Sequence, residues 1–191
     1  MKYGVRRTPA FTSASLVLVI LLVSITYSAR SLWTYFTNWG LSLQFAAYVS
    51  VLDDSTSRQH LVDAGILVSW TVAVSYSVVI AISHETRDHL YALYGADVFW
   101  LGNIVLHYLP PLLISVCVDP TQGSFWVHIQ SAVIVSFLVI VYNLSHDTED
   151  VYDSDVLSRT EGALYMVLAC FVLVFVVFNF HVYIKALRIQ L

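Results

Sequence analysis

Six apolar runs of about twenty residues, each bounded by charge, constrain this chain more than any other feature of it. A helix needs roughly 20 predominantly apolar residues to cross about 30 Å of hydrocarbon. The runs extend from Ala10 to Ser28, Trp33 to Leu52, Val62 to Ser83, Val98 to Val118, Phe125 to Leu144 and Ala163 to Tyr183. They occupy most of the 191 residues, and the connections between them are too short to fold separately. The expected fold class is therefore all-α: a polytopic integral membrane bundle of six transmembrane helices, forming one domain over 1–191.

Composition agrees and excludes other classes. The chain is 58% hydrophobic and 12% charged, against about 45–50% and about 25% in soluble domains. Such a chain is not disordered, and 9 Lys plus Arg against 13 Asp plus Glu leave no basic surface for nucleic acid. Membrane lipids are the expected partners. Cys117 and Cys170 both lie in apolar runs without a CxxC spacing, so neither a disulfide framework nor a zinc module is indicated. The two halves share no recognisable repeat, which weighs against the inverted-repeat design of many transporters.

The first run follows Lys2, Arg6 and Arg7, as in a signal peptide. It is too long for a typical signal h-region, lacks a small-residue cleavage site and leads straight into further apolar runs, so it is expected to be a retained anchor. Even span number puts both termini on one side. That side collects Lys2, Arg6, Arg7, Arg58, Lys185 and Arg188, whereas the other collects Arg30, Arg87 and Arg159. The positive-inside bias makes the termini cytoplasmic. The loop from Ser145 to Gly162 carries Asp147, Glu149, Asp150, Asp153, Asp155 and Glu161; it reads as a solvated acidic loop, since the ligand spacing of an EF-hand is missing.

Polar side chains inside hydrocarbon must find partners or line a cavity, so they mark candidate sites. In the second run Trp33, Thr37, Gly40 and Gln44 recur at spacings that share one helical face. Gly40 and Gln44 read first as packing residues, a close approach and an interhelical hydrogen bond. In the fourth run Trp100, Asn103 and His107 are expected on one stripe, followed by Pro110 and Pro111. Pro111 conflicts with the carbonyl of His107 in a regular helix, so a kink opening space beside the histidine is expected. At 1.5 Å per residue from Trp33 and Trp100, Thr37 lies about 6 Å deep and His107 about 10 Å deep in the same leaflet. A threonine hydroxyl needs a base such as neutral imidazole within hydrogen-bond reach. Asn38 or Asn103 could then donate to a developing oxyanion. No acidic residue orients the imidazole, so the expected machinery is a dyad.

At these segments the sequence resembles the androgen-induced family of six-span membrane hydrolases, which cleave fatty acid esters of hydroxy fatty acids. The likeness rests on Tyr35-Phe36-Thr37 through Gln44, and on His107 followed by Pro110. It implies Thr37 as nucleophile and His107 as its catalytic partner, with a lipid ester as substrate; independently of the resemblance, Asn38, Asn103, Gln44 and Trp100 are expected as substrate-binding or oxyanion residues. The Phe36-Thr37-Asn38-Trp39-Gly40 segment is also similar to rolling-stone-like membrane proteins, which have no established catalytic chemistry. The alternative is therefore a non-enzymatic membrane scaffold or small transporter in which these residues hold helices together.

No cofactor and no metal is expected. His84, Glu85, Asp88 and His89 form i, i+4 pairs on a helix, with His146 and Asp147 on the same side of the membrane, but Arg87 in their midst opposes a cation. The sequon at Asn143 lies too near the membrane boundary for glycosylation.

Overall fold

The computed structural model describes residues 7–28, 35–52, 59–117, 125–145, 165 and 167–180, all helical apart from single-residue breaks. Helix α1 is Arg7–Ser28, α2 Phe36–Leu52, α3 Gln59–Ile82 and α4 His84–Tyr94. Helix α5, Ala96–Asn103, runs through a π-helical turn, Ile104–Tyr108, into α6, Leu109–Cys117; α7 is Phe125–Ser145. A further apolar helix covers Val167–Phe180. Helix thus lies within each of the six apolar runs, and no strand occurs among the described residues.

The described segments His60–Ile82 and Ala96–Ser115 are long and apolar enough to cross a membrane; Ala10–Thr26, Ile129–Tyr142 and Val167–Phe180 are shorter apolar helices. The distribution of side chains points the same way. Large apolar residues such as Val23, Leu101, Leu112, Phe137 and Leu144 face outward, while Asn38, Gln44, Asp63, Thr71 and Ser131 are fully buried. A water-soluble bundle gains free energy from the reverse arrangement. In a bilayer, lipid tails are as apolar as leucine, and polar groups are best satisfied between helices. The fold is that of a helical, membrane-associated protein.

Hydroxyls inside the helices find acceptors locally. Ser42, Ser50, Thr71, Ser77 and Ser115 each donate to the carbonyl four residues earlier, which satisfies the hydroxyl hydrogen within its own helix. Helix α3 is central, packing on α2, α6 and α7, while α1 covers α2. Glycine permits the closest crossing. A Cβ on Gly65 would sit 2.7 Å from Ala47 Cβ and 3.3 Å from Ile114 Cδ1, so α2, α3 and α6 converge there. On the other side, Ser131 of α7 donates to the His60 carbonyl at 3.1 Å, and Tyr142 packs its ring against Phe36 and Trp39 of α2.

Two details depart from the expectations above. The connection after α3 is itself a helix, α4, broken from α5 by Gly95 at φ 76°, a left-handed conformation that glycine takes without steric cost. The expected kink in the fourth run takes the form of a π-turn just ahead of the prolines. The N–H of Leu109 reaches back five residues to the Ile104 carbonyl. Pro110 and Pro111 have no N–H to offer the carbonyls of Leu106 and His107, and a widened turn accommodates both their rings and the lost bonds.

Candidate functional site

A small cleft between α2, α3 and the π-turn is lined by Thr37, Gly40, Leu41, Gln44, Ser69, Val72, Leu106, His107, Pro110 and Pro111. Its free space holds about one water-sized molecule. Thr37 is half-buried at its edge and His107 is buried, 9% exposed. The two residues singled out from sequence therefore line the same cleft. Gly40 lets α3 come close, since a Cβ there would meet Val72 Cγ2 at 3.1 Å.

Gln44 also lines the cleft, and its amide joins three helices. Its Nε2 donates to the Pro110 carbonyl at 2.6 Å, and its Oε1 accepts from Ser69 Oγ at 2.9 Å. Ser69 shares its single proton with the Gly65 carbonyl, 2.7 Å away. With both ends of the amide occupied, Gln44 acts as an interhelical tie. Gln44→Leu, which keeps the volume and removes both bonds, is expected to destabilise the bundle by about 1–2 kcal/mol. A thermal melt monitored by size exclusion should show this, whereas an unchanged melting temperature would show that the tie contributes nothing.

The surroundings of His107 were not legible in the sequence. Its ring lies on that of Tyr76 from α3, with centroids 3.7 Å apart and planes 11° from parallel. Tyr76 Oη donates to Asn103 Oδ1 at 2.5 Å. Asn103 itself is 6% exposed and does not line the cleft. Among the described residues, His107 Nδ1 and Asn103 Nδ2 are buried without a hydrogen-bond partner. One residue on in each segment, Ser77 Oγ and Tyr108 Oη are hydrogen-bonded at 2.8 Å. Tyr76 carries no sequence motif; a hydroxyl-bearing aromatic in the middle of an apolar run was the only available signal.

The remaining candidates lie elsewhere. Asn38 is fully buried against α1, accepting from Ser24 Oγ at 2.9 Å, outside the cleft. Trp100 is 46% exposed on the outer surface, edge-on to Phe99. The expected stripe is thus split at Trp100: Asn103, just before the π-turn, and His107, within it, both meet Tyr76, while Trp100 faces outward. Trp33, His146, Asp147 and the acidic loop lie outside the described residues. In α4 the Arg87 guanidinium donates to His84 Nδ1 at 2.7 Å and lies 3.5 Å from Asp88, so the cation-opposing residue engages two of the four proposed ligands. No group of three or more potential metal ligands occurs among the described residues. Asp63, fully buried near the start of α3, is a polar core residue that no sequence pattern singles out.

Fold and site define a helical, membrane-associated protein with a small internal cleft into whose lining a few polar side chains enter. Comparison with known proteins adds no relative: no protein-family model, no curated protein and no solved structure matches the chain.

Proposed function

We propose that this chain is a six-span integral membrane hydrolase of lipid esters, with fatty acid esters of hydroxy fatty acids as the substrate class and both termini cytoplasmic. One observation carries the reading: Thr37 and His107, on different helices and far apart in sequence, line the same cleft. In the reaction, a ring nitrogen of His107 takes the Thr37 hydroxyl proton as Oγ1 bonds to the ester carbonyl carbon. The bond from that carbon to the alcohol oxygen then breaks, and the imidazole returns its proton to the departing alcohol. A water adds to the acyl-threonine, releasing the fatty acid and restoring the hydroxyl. The cleft holds about one water, so the acyl chains remain along the apolar outer surface while the carbonyl reaches Thr37.

A second reading is favoured by the fully engaged Gln44 amide and the narrowness of the cleft. In it the same residues only tie helices together, and the protein is a membrane scaffold or small transporter. A fluorophosphonate probe separates the two. Membranes containing the protein should show a labelled band that disappears in Thr37→Val and in His107→Ala. Absence of labelling in well-folded wild-type protein, or labelling that survives Thr37→Val, favours the scaffold.

A further inference from the structure

We propose that Tyr76 is the positioning residue for His107, supplying by ring stacking the orientation of the ring that a carboxylate supplies by hydrogen bonding in a catalytic triad. The catalytic part of this proposal rests on the hydrolase reading; the structural part does not. An imidazole that exchanges protons must be held in one orientation, and the usual device is a hydrogen bond to the nitrogen away from the reaction. His107 has no such bond at Nδ1 among the described residues. Instead its face is covered by Tyr76, at 3.7 Å and nearly parallel, closer than the roughly 4.5–7 Å usual for aromatic pairs. Contact of this kind fixes the plane of the ring and leaves its edge, where both nitrogens lie, free of Tyr76.

Tyr76 is itself held at a second point. Its hydroxyl donates to Asn103, four residues before His107 on the same chain segment. Helix α3 therefore grips the segment at the imidazole face and at the amide one turn earlier, across the π-turn that sets the angle between them. Phenylalanine could supply the face but not the anchor. This makes the pair Tyr76 and Asn103 a unit whose two halves can be removed separately.

The test uses the full chain in lipid nanodiscs with isotope-labelled histidine, the His107 ring signals being assigned by their loss in His107→Gln. Protons over an aromatic face are shielded, so the ring protons of His107 should resonate upfield in the wild type and in Tyr76→Phe. They should return to ordinary positions in Tyr76→Leu. Unshifted His107 signals in the wild type overturn the proposal without any variant, which keeps it testable if Tyr76→Leu does not fold. For ester turnover, Tyr76→Leu should lower kcat about 10- to 100-fold with KM unchanged, and Tyr76→Phe should restore most of it. A Tyr76→Leu protein whose signals move while kcat holds would also overturn it. If the wild type shows the shielding but no turnover, the hydrolase reading fails and the stacked anchor stands.

Discussion

Under the proposed hydrolase function, replacing His107 by alanine is expected to lower lipid-ester turnover by about 10²- to 10⁴-fold, the usual contribution of a positioned general base. Thr37→Ala should do at least as much, because it removes the atom that would carry the acyl group. The two losses should not multiply: once the nucleophile is absent, the base has no proton to take, so the double variant should resemble either single one. Steady-state kinetics on a fatty acid ester of a hydroxy fatty acid, with purified protein in nanodiscs, decides this. Val133→Ala on the outer face of α7 serves as a control, its side chain being 62% exposed and not among those that line the cleft. His107 is almost wholly buried, so the alanine variant must elute as wild type before its rate is interpreted. His107→Gln, of similar length, repeats the test with less lost packing. Wild-type turnover in a folded Thr37 or His107 variant would eliminate the dyad.

The largest stability effect should come from Gly65→Val, which is expected to destabilise the bundle by about 3 kcal/mol or more and to yield little folded protein. Even the first added carbon would lie 2.7 Å from Ala47 Cβ, with Ile114 Cδ1 at 3.3 Å and the Gln44 backbone at 3.5 Å. A flexible side-chain tip can move aside, but Ala47 Cβ is fixed to the α2 backbone. The helices would have to separate, and separation would also stretch the Gln44 bonds to Pro110 and Ser69. Gly102→Ala offers the contrasting case: its added carbon meets nothing within 4 Å, and alanine in a helix gains about 0.5–1 kcal/mol over glycine. Thermal melts of both variants should therefore move in opposite directions. A Gly65→Val protein that melts like the wild type would mean that α2 and α3 do not cross closely there.

Much of the candidate site is legible along a single helix. Thr37, Gly40 and Gln44 share a stripe by spacing alone, and all three line the cleft; the packing role expected of Gln44 agrees with its bonds to two other helices. Spacing misplaces Trp100. It lies on the outer surface although Asn103 and His107, three and seven residues on, are buried and meet Tyr76; residues three apart differ by about 60° around a helix, enough to put one at the rim of the buried face. Partners on other helices are the least legible. Tyr76, Ser69 and Gly65 belong to an apolar run, and nothing distinguishes them from Tyr48, Ser75 or Gly102 until α3 is set against α2 and the π-turn.

The amino-acid sequence alone determined where the helices form and which residues are too polar for an apolar environment. Long apolar runs permit little else, because a backbone withdrawn from water must satisfy its own hydrogen bonds. It did not determine which polar groups meet. That depends on the rotation and crossing of whole helices, which are set by missing side chains at Gly40 and Gly65 and by the register of one widened turn. Only the tertiary structure brings Thr37 and His107 to one cleft and lays Tyr76 against the imidazole. Such contacts join residues that local periodicity cannot relate.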